Sequence, residues 1–321
     1  MISKTEIDDV LNASILLSRL SFLGACLVVA LHVDPGKGFL APLYRAAVPM
    51  FFMMSGYWLV GHVEEKGWWA AAVVKRVKTL VIPYFFWITV TLGVLMVLKY
   101  IGSLVGLPVA EAYSWRFIVD SYGWNLCEGV PANMWYVRCL YIFVLLSAGV
   151  VALVRKSWIL GAMLAVAAML LPRFVHLPLN GNFWYFGFNA IGFGWFVIGI
   201  ILRLAKSDQL LLTIGKWGGA VIMLGYAFDS IPLVIVGLAG IAYYLPIPKT
   251  WGSLSFPIFA QHGLVWLILI YGFRMVHLDG YLTSAIGYLS AIALTVGICV
   301  VLTVLVRKFV PLFSNLIYGG R

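Results

Sequence analysis

His32 and His262 are the residues of this chain best suited to chemistry, together with a few arginines and lysines inside or beside apolar stretches. His32 closes the apolar run ASILLSRLSFLGACLVVALHV at 13–33. Imidazole titrates near neutrality, so it can take a proton from a hydroxyl as that hydroxyl attacks a thioester, or carry an acyl group in transit. A helix-end histidine wetted by headgroups is the plainer reading. Asp34 follows two residues later and is placed to orient the ring if the chain folds back. Arg19 lies near the start of the same run. Lys75, Arg76 and Lys78 form the cluster KRVK, and planar guanidinium suits phosphate. The same cluster also serves as a topological anchor. Trp135 and Arg138 open the stretch WYVRCLYIF, where an arginine inside an apolar run is a functional candidate, with Glu128 as a possible partner. His262 falls inside SFPIFAQHGLVW, where an ionisable ring faces the protein interior. The four cysteines, Cys26, Cys127, Cys139 and Cys299, lack metal-ligand spacing, so no metal site and no bound cofactor is expected.

Helices in lipid must position these groups. The chain has 321 residues, 63% hydrophobic and 11% charged, with a mean hydropathy of +1.00. Soluble domains carry about 25% charged residues, and none of this size buries so much apolar surface. The class is therefore an all-α polytopic membrane protein, since only helices and closed barrels satisfy their backbone in lipid. The first apolar run follows Glu6, Asp8 and Asp9 and lacks a small-residue cleavage site, unlike a signal peptide.

Ten segments are long and apolar enough for spans: 13–33, 44–62, 79–99, 134–154, 157–172, 184–203, 212–228, 231–246, 253–273 and 283–306. They make one integral membrane domain over 1–321, with about ten transmembrane helices. Placing both termini in the cytoplasm puts thirteen lysines and arginines inside and six outside, with Arg19, Arg138 and Lys216 within helices. The net charge of +10 is accounted for this way, and nucleic-acid binding is not expected, because no basic stripe carries interleaved aromatics. The 63–78 loop is basic, with Trp68 and Trp69 as interfacial anchors of a short helix. The 100–133 loop, with Trp115, Asp120, Trp124 and Glu128, suits a lid on the outer face. Pro49 and Ser55-Gly56 mark the second span as bent and closely approached.

Five stretches occur in an order that resembles the acyltransferase-3 family of integral membrane acyltransferases. They are LVVALH (27–32), AAVPMFFMMSGYWLV (46–60), KRVKTLVIPYFFW (75–87), MWYVRCLYIF (134–143) and GSLSFPIFAQHGLV (252–265). The resemblance covers nearly the whole chain. It implies about ten helices and transfer of an acyl group, commonly acetyl from acetyl-CoA, to a hydroxyl of a glycan or similar acceptor. By the same resemblance His32 matches the catalytic histidine, Arg76 the basic motif, His262 the late-helix histidine, and Trp135 with Arg138 the tryptophan-led motif. One departure stands out. Many members place an arginine eleven residues before the histidine, on the same helix face. Here Ser21 holds that position, and Arg19 lies about 140° away around the helix.

The expectation is a membrane O-acyltransferase, an enzyme moving groups other than amino-acyl groups, in a plasma membrane such as the bacterial inner membrane. Acyl-CoA, the donor substrate, binds from the cytoplasm with its phosphates near Arg76, Lys75 and Lys78. His32 acts as base or relay, while Arg138, Trp135, His262 and Arg19 contact substrate, and the acceptor enters from the outer face. The alternatives are a transporter or exporter of a lipid-linked sugar or other solute, and a structural or regulatory membrane subunit.

Overall fold

The structure is a computed structural model that describes residues 4–33, 41–104, 122, 134–174, 188–205, 208–276 and 284–320. Asp34, Trp115, Asp120, Trp124, Cys127 and Glu128 lie outside the described residues, as do most of the 100–133 loop and residues 175–187. Among the described residues there is no strand. The helices are α1 (Lys4–Val33), α2 (Ala41–Leu59), α3 (Trp68–Arg76), α4 (Ile82–Leu104), α5 (Trp135–Lys156), α6 (Trp158–Phe174) and α7 (Ala190–Leu204). They continue as α8 (Asp208–Trp217), α9 (Ile222–Ala227), α10 (Ile231–Tyr244), α11 (Ser255–Met275), α12 (Ala285–Phe309) and α13 (Pro311–Tyr318). A π turn, Val77–Val81, joins α3 to α4 without a break.

Among the described residues, five continuous helical stretches are long and apolar enough to cross a bilayer: Asp8–Val33, Trp68–Tyr100, Trp135–Lys156, Lys249–Met275 and Ala285–Phe309. The count rises to six if the sharply bent pair of α7 and α8 is one span. Ten were expected from composition; of these, 184–203 falls partly outside the described residues, and two are short helices. Trp158–Pro172 and Ile231–Tyr244 are apolar but short; at 1.5 Å per residue they reach about 21–23 Å, against about 30 Å of hydrocarbon. The expected span 212–228 is interrupted. A 3₁₀ turn at Gly218–Val221 separates α8 from α9, because the backbone there lies directly on α10. A Cβ on Gly240 would stand 1.9 Å from the Gly219 nitrogen.

Two packing units organise the molecule. In the first, α2 crosses α7 at backbone contact, for a Cβ on Gly56 would meet the Phe196 carbonyl oxygen at 2.1 Å and one on Gly199 the Met53 carbonyl oxygen at 1.9 Å. Close approach of small residues is how helices gain packing energy in lipid. Phe52, Tyr136, Phe143, Phe193 and Phe196 fill the space around this crossing. In the second, α1, α11 and α12 share a cluster of Ala25, Val29, Ile258, Val265 and Cys299. The opposite faces are apolar and exposed: Trp158, Met163 and Phe174 on α6, and Ile286, Leu289, Val301 and Leu305 on α12. So continuous an apolar exterior is covered by lipid, and the chain is an integral membrane protein.

Candidate functional site

The α1–α11 interface sets the position of both histidines. Ala25, Val29 and His32 follow one another at i, i+4 and i+7 on α1, and Ile258, His262 and Val265 do the same on α11. The helices run parallel, since Ser18 meets Gly252 at one end and His32 meets His262 at the other. The lower end is locked. A Cβ on Gly252 would fall 2.0 Å from Ser18 Oγ, Ser18 Oγ donates to the Lys249 carbonyl at 2.5 Å, and Phe22 packs edge-on against Trp251. The upper end is braced by Tyr288, whose hydroxyl donates to the Ala30 carbonyl at 3.3 Å and shares a hydrogen bond with Tyr44.

With the register so fixed, the two imidazoles stand 4.9 Å apart, centroid to centroid. His32 is half-buried and His262 is fully buried, at 0% exposure. His262 Nδ1 lies 2.7 Å from the Phe259 carbonyl oxygen and 3.2 Å from that of Ile258. Carbonyl oxygens only accept, so Nδ1 carries the hydrogen and, in the neutral ring, Nε2 is left as an acceptor. That Nε2 is buried and has no hydrogen-bond partner. A buried polar atom left unmatched costs about 1–3 kcal/mol and calls for an explanation. The amide nitrogen of its neighbour Gln261 is fully used, donating to Thr303 Oγ1 and Tyr318 Oη at 2.9 Å each.

Below the histidines lies a cavity of about 280 Å³ between α1, α2, α5, the π turn and α11. Ser21, Ser55, Arg76, Tyr136, Phe51 and Phe259 are among its walls. Phe259 separates it from the histidine pair, its ring 5.9 Å from that of His262, and is itself packed against Tyr136 and Phe51. Arg76 is half-buried, and no carboxylate among the described residues pairs with it. A second cavity of about 240 Å³ shares Trp58 and Arg76 with the first and is also lined by Lys75.

The structure thus brings His32 together with His262, and Arg76 together with Lys75, and it parts the others. Lys78 is exposed and lines neither cavity. Arg138 faces Tyr84 on α4, and Trp135 packs on Phe52, 6.1 Å between centroids. Arg19 donates from Nε to the Ile247 carbonyl at 2.9 Å and from a terminal nitrogen to the Tyr243 carbonyl at 2.7 Å. Its charge therefore closes the C-terminal end of α10, where free carbonyls gather. Sequence reasoning passed over Tyr136, which lines the cavity and hydrogen-bonds Ser55 Oγ at 3.1 Å. The signal was present, since Tyr136 stands between the two residues of WYVR that were singled out. Ser21, noted only as the place of a missing arginine, is also a cavity wall, and its hydroxyl is tied to the Leu17 carbonyl at 2.9 Å.

A family model described as an acyltransferase domain matches residues 20–312. No curated protein and no solved structure matches the chain.

Proposed function

Because the chain belongs to the acyltransferase-3 family, and so transfers acyl groups other than amino-acyl groups, we propose that it is an O-acyltransferase moving acetyl from acetyl-CoA to a hydroxyl of a glycan or similar acceptor. The chain forms a single domain in the plasma membrane. Ten crossings, some made by short or broken helices, put both termini in the cytoplasm. The cavity beside Arg76 then faces the cytoplasmic donor, and His32 faces the acceptor.

The observation that carries this reading is the histidine pair one aromatic ring beyond a cavity whose other end holds an arginine without a carboxylate. The donor's phosphates sit at Arg76, with Lys75 and Lys78 adding charge, and its pantetheine arm runs past Ser21, Ser55 and Tyr136. Its thioester reaches the histidines when the Phe259 ring turns aside. His32 takes the proton of the acceptor hydroxyl, and the oxygen attacks the thioester carbonyl. As the C–S bond breaks, that proton passes from His32 to the leaving sulfur, giving the ester and free CoA thiol. His262 is a positioning residue. With its own proton held on Nδ1 by two carbonyls, its unpartnered Nε2 is the acceptor that the neighbouring His32 ring, 4.9 Å away, engages by turning toward it, which fixes that ring's tautomer. Arg138 and Trp135 shape the acceptor end of α5, while Arg19 holds α1 in register.

The test is acyl transfer in membranes containing the protein, wild type against His32→Ala and Arg76→Ala. Loss of a general base costs about 10²–10⁴-fold, and the His32 variant is expected in that range. Full activity in both variants overturns the assignment.

A further inference from the structure

We infer that the second cavity is a nucleotide subsite that takes the adenosine part of CoA, with the diphosphate at Arg76 where the two cavities meet. This rests on the donor reading above and names the ligand chemistry of a site that reading leaves empty.

The argument begins with α3. Trp68, Ala71, Ala72, Lys75 and Arg76 stand at i, i+3, i+4, i+7 and i+8, a single helical face, and all five line this cavity. The helix is held by Trp69, whose Nε1 donates to the Val144 carbonyl on α5 at 3.2 Å, and by Val73, which packs on the core beside Trp68 and Ala72. Along the lining face the chemistry changes from aromatic through two small residues to two cations, over about 12 Å. A nucleoside diphosphate has the same order: a flat π-face, a sugar and then negative charge. Trp58 supplies a second indole wall, 45% exposed, and Glu65 adds a carboxylate that can accept from an exocyclic amine. Indole suits a base because stacking needs only its π-face, and guanidinium suits diphosphate.

Size points the same way. Pockets that enclose a drug-sized ligand run from about 300 to 1,000 Å³. The two cavities, at about 280 and 240 Å³, each fall short of that range, and taken together across their shared walls, Trp58 and Arg76, they enter it. CoA is a two-part ligand, a nucleotide and a pantetheine arm with phosphate between them. Two chambers with a cation on their shared wall match that division.

The experiment compares acetyl-CoA with S-acetylpantetheine, which lacks the nucleotide, in the purified full-length protein. Trp68→Ala is expected to raise KM for acetyl-CoA about tenfold and to move KM for S-acetylpantetheine less than about twofold. Trp68→Phe is expected to restore most of the loss. Equal changes for both donors, or no change for either, overturn the subsite. Direct binding of adenosine 3′,5′-bisphosphate, followed by tryptophan fluorescence, is independent of turnover. Binding by wild type that Trp68→Ala abolishes supports the subsite even if no acyl transfer is found, an outcome that overturns the donor reading alone. Wild type that transfers acetyl but does not bind the bisphosphate leaves the enzyme assignment standing and removes the subsite.

Discussion

Arg19 and Arg76 are both half-buried cations beside the first cavity's helices, and the protein uses them in opposite ways. Arg19 spends its donors on two main-chain carbonyls more than two hundred residues away, at Tyr243 and Ile247. Arg76 opens on both cavities and meets no carboxylate among the described residues. A half-buried guanidinium whose hydrogen bonds are satisfied by backbone is a structural clamp. One that borders empty space is poised for an anion. Charge and burial do not separate the two cases; the partners do.

Arg76→Ala is the sharpest way to break this comparison. A hydrogen bond to a charged group is worth about 1.5–3 kcal/mol, so kcat/KM for the CoA donor is expected to fall about 10- to 150-fold through KM, with little change in melting temperature in detergent. A fall in stability without a KM effect would make Arg76 a second clamp. His262→Ala adds a third pattern. Removing the acceptor for the His32 ring is expected to lower kcat about tenfold or more and leave KM for acetyl-CoA unchanged. A KM effect equal to that of Arg76→Ala would make His262 a donor-binding residue and remove it from the proton path. Arg19→Ala is expected to show the reverse of Arg76→Ala. It loses about 1–3 kcal/mol of stability with the two carbonyls it leaves unmatched, read as an earlier thermal melt, while kcat/KM at permissive temperature changes less than about threefold. Arg19→Lys does not restore the stability, because one ammonium cannot reproduce the planar fork.

How much of this was legible beforehand depended on whether the signal was local. The spacing of Ala25, Val29 and His32 is a property of one helix, and so is the apolar length of α1, α5, α11 and α12; these were readable from periodicity. The pairing of His32 with His262 was not, since it depends on Ser18 meeting Gly252 across the sequence. The partners of Arg19 were invisible for the same reason. The π turn at Val77–Val81 carries no special residue, yet it adds a residue to the turn between Arg76 and α4. Hydropathy averages through Gly218 and Gly219, so the break of the expected span 212–228 by a 3₁₀ turn, where the backbone lies on α10, was not legible. The C-terminal helix α13 lies beyond the last expected span, yet Tyr318 is 1% exposed and bonds Gln261, next to the buried histidine.

The smallest expected effect tests the wall between the donor cavity and the histidines. Phe259 lines the cavity, and its ring lies 5.9 Å from His262, 5.3 Å from Tyr136 and 6.4 Å from Phe51. Neither His32 nor His262 lines that cavity, so on the proposed donor path the acyl end must pass this ring to react. A wall at the acyl end discriminates by chain length, and one methylene in an apolar pocket is worth about 1–3 kcal/mol at most. Phe259→Ala would leave a void large enough to cost stability, so Phe259→Leu is the better probe. Its ratio of kcat/KM for butanoyl-CoA to that for acetyl-CoA is expected to rise about three- to tenfold, with the Arg76-dependent KM effect intact. An unchanged ratio would mean that the ring is packing only, and that acyl length is read on the far side of His32.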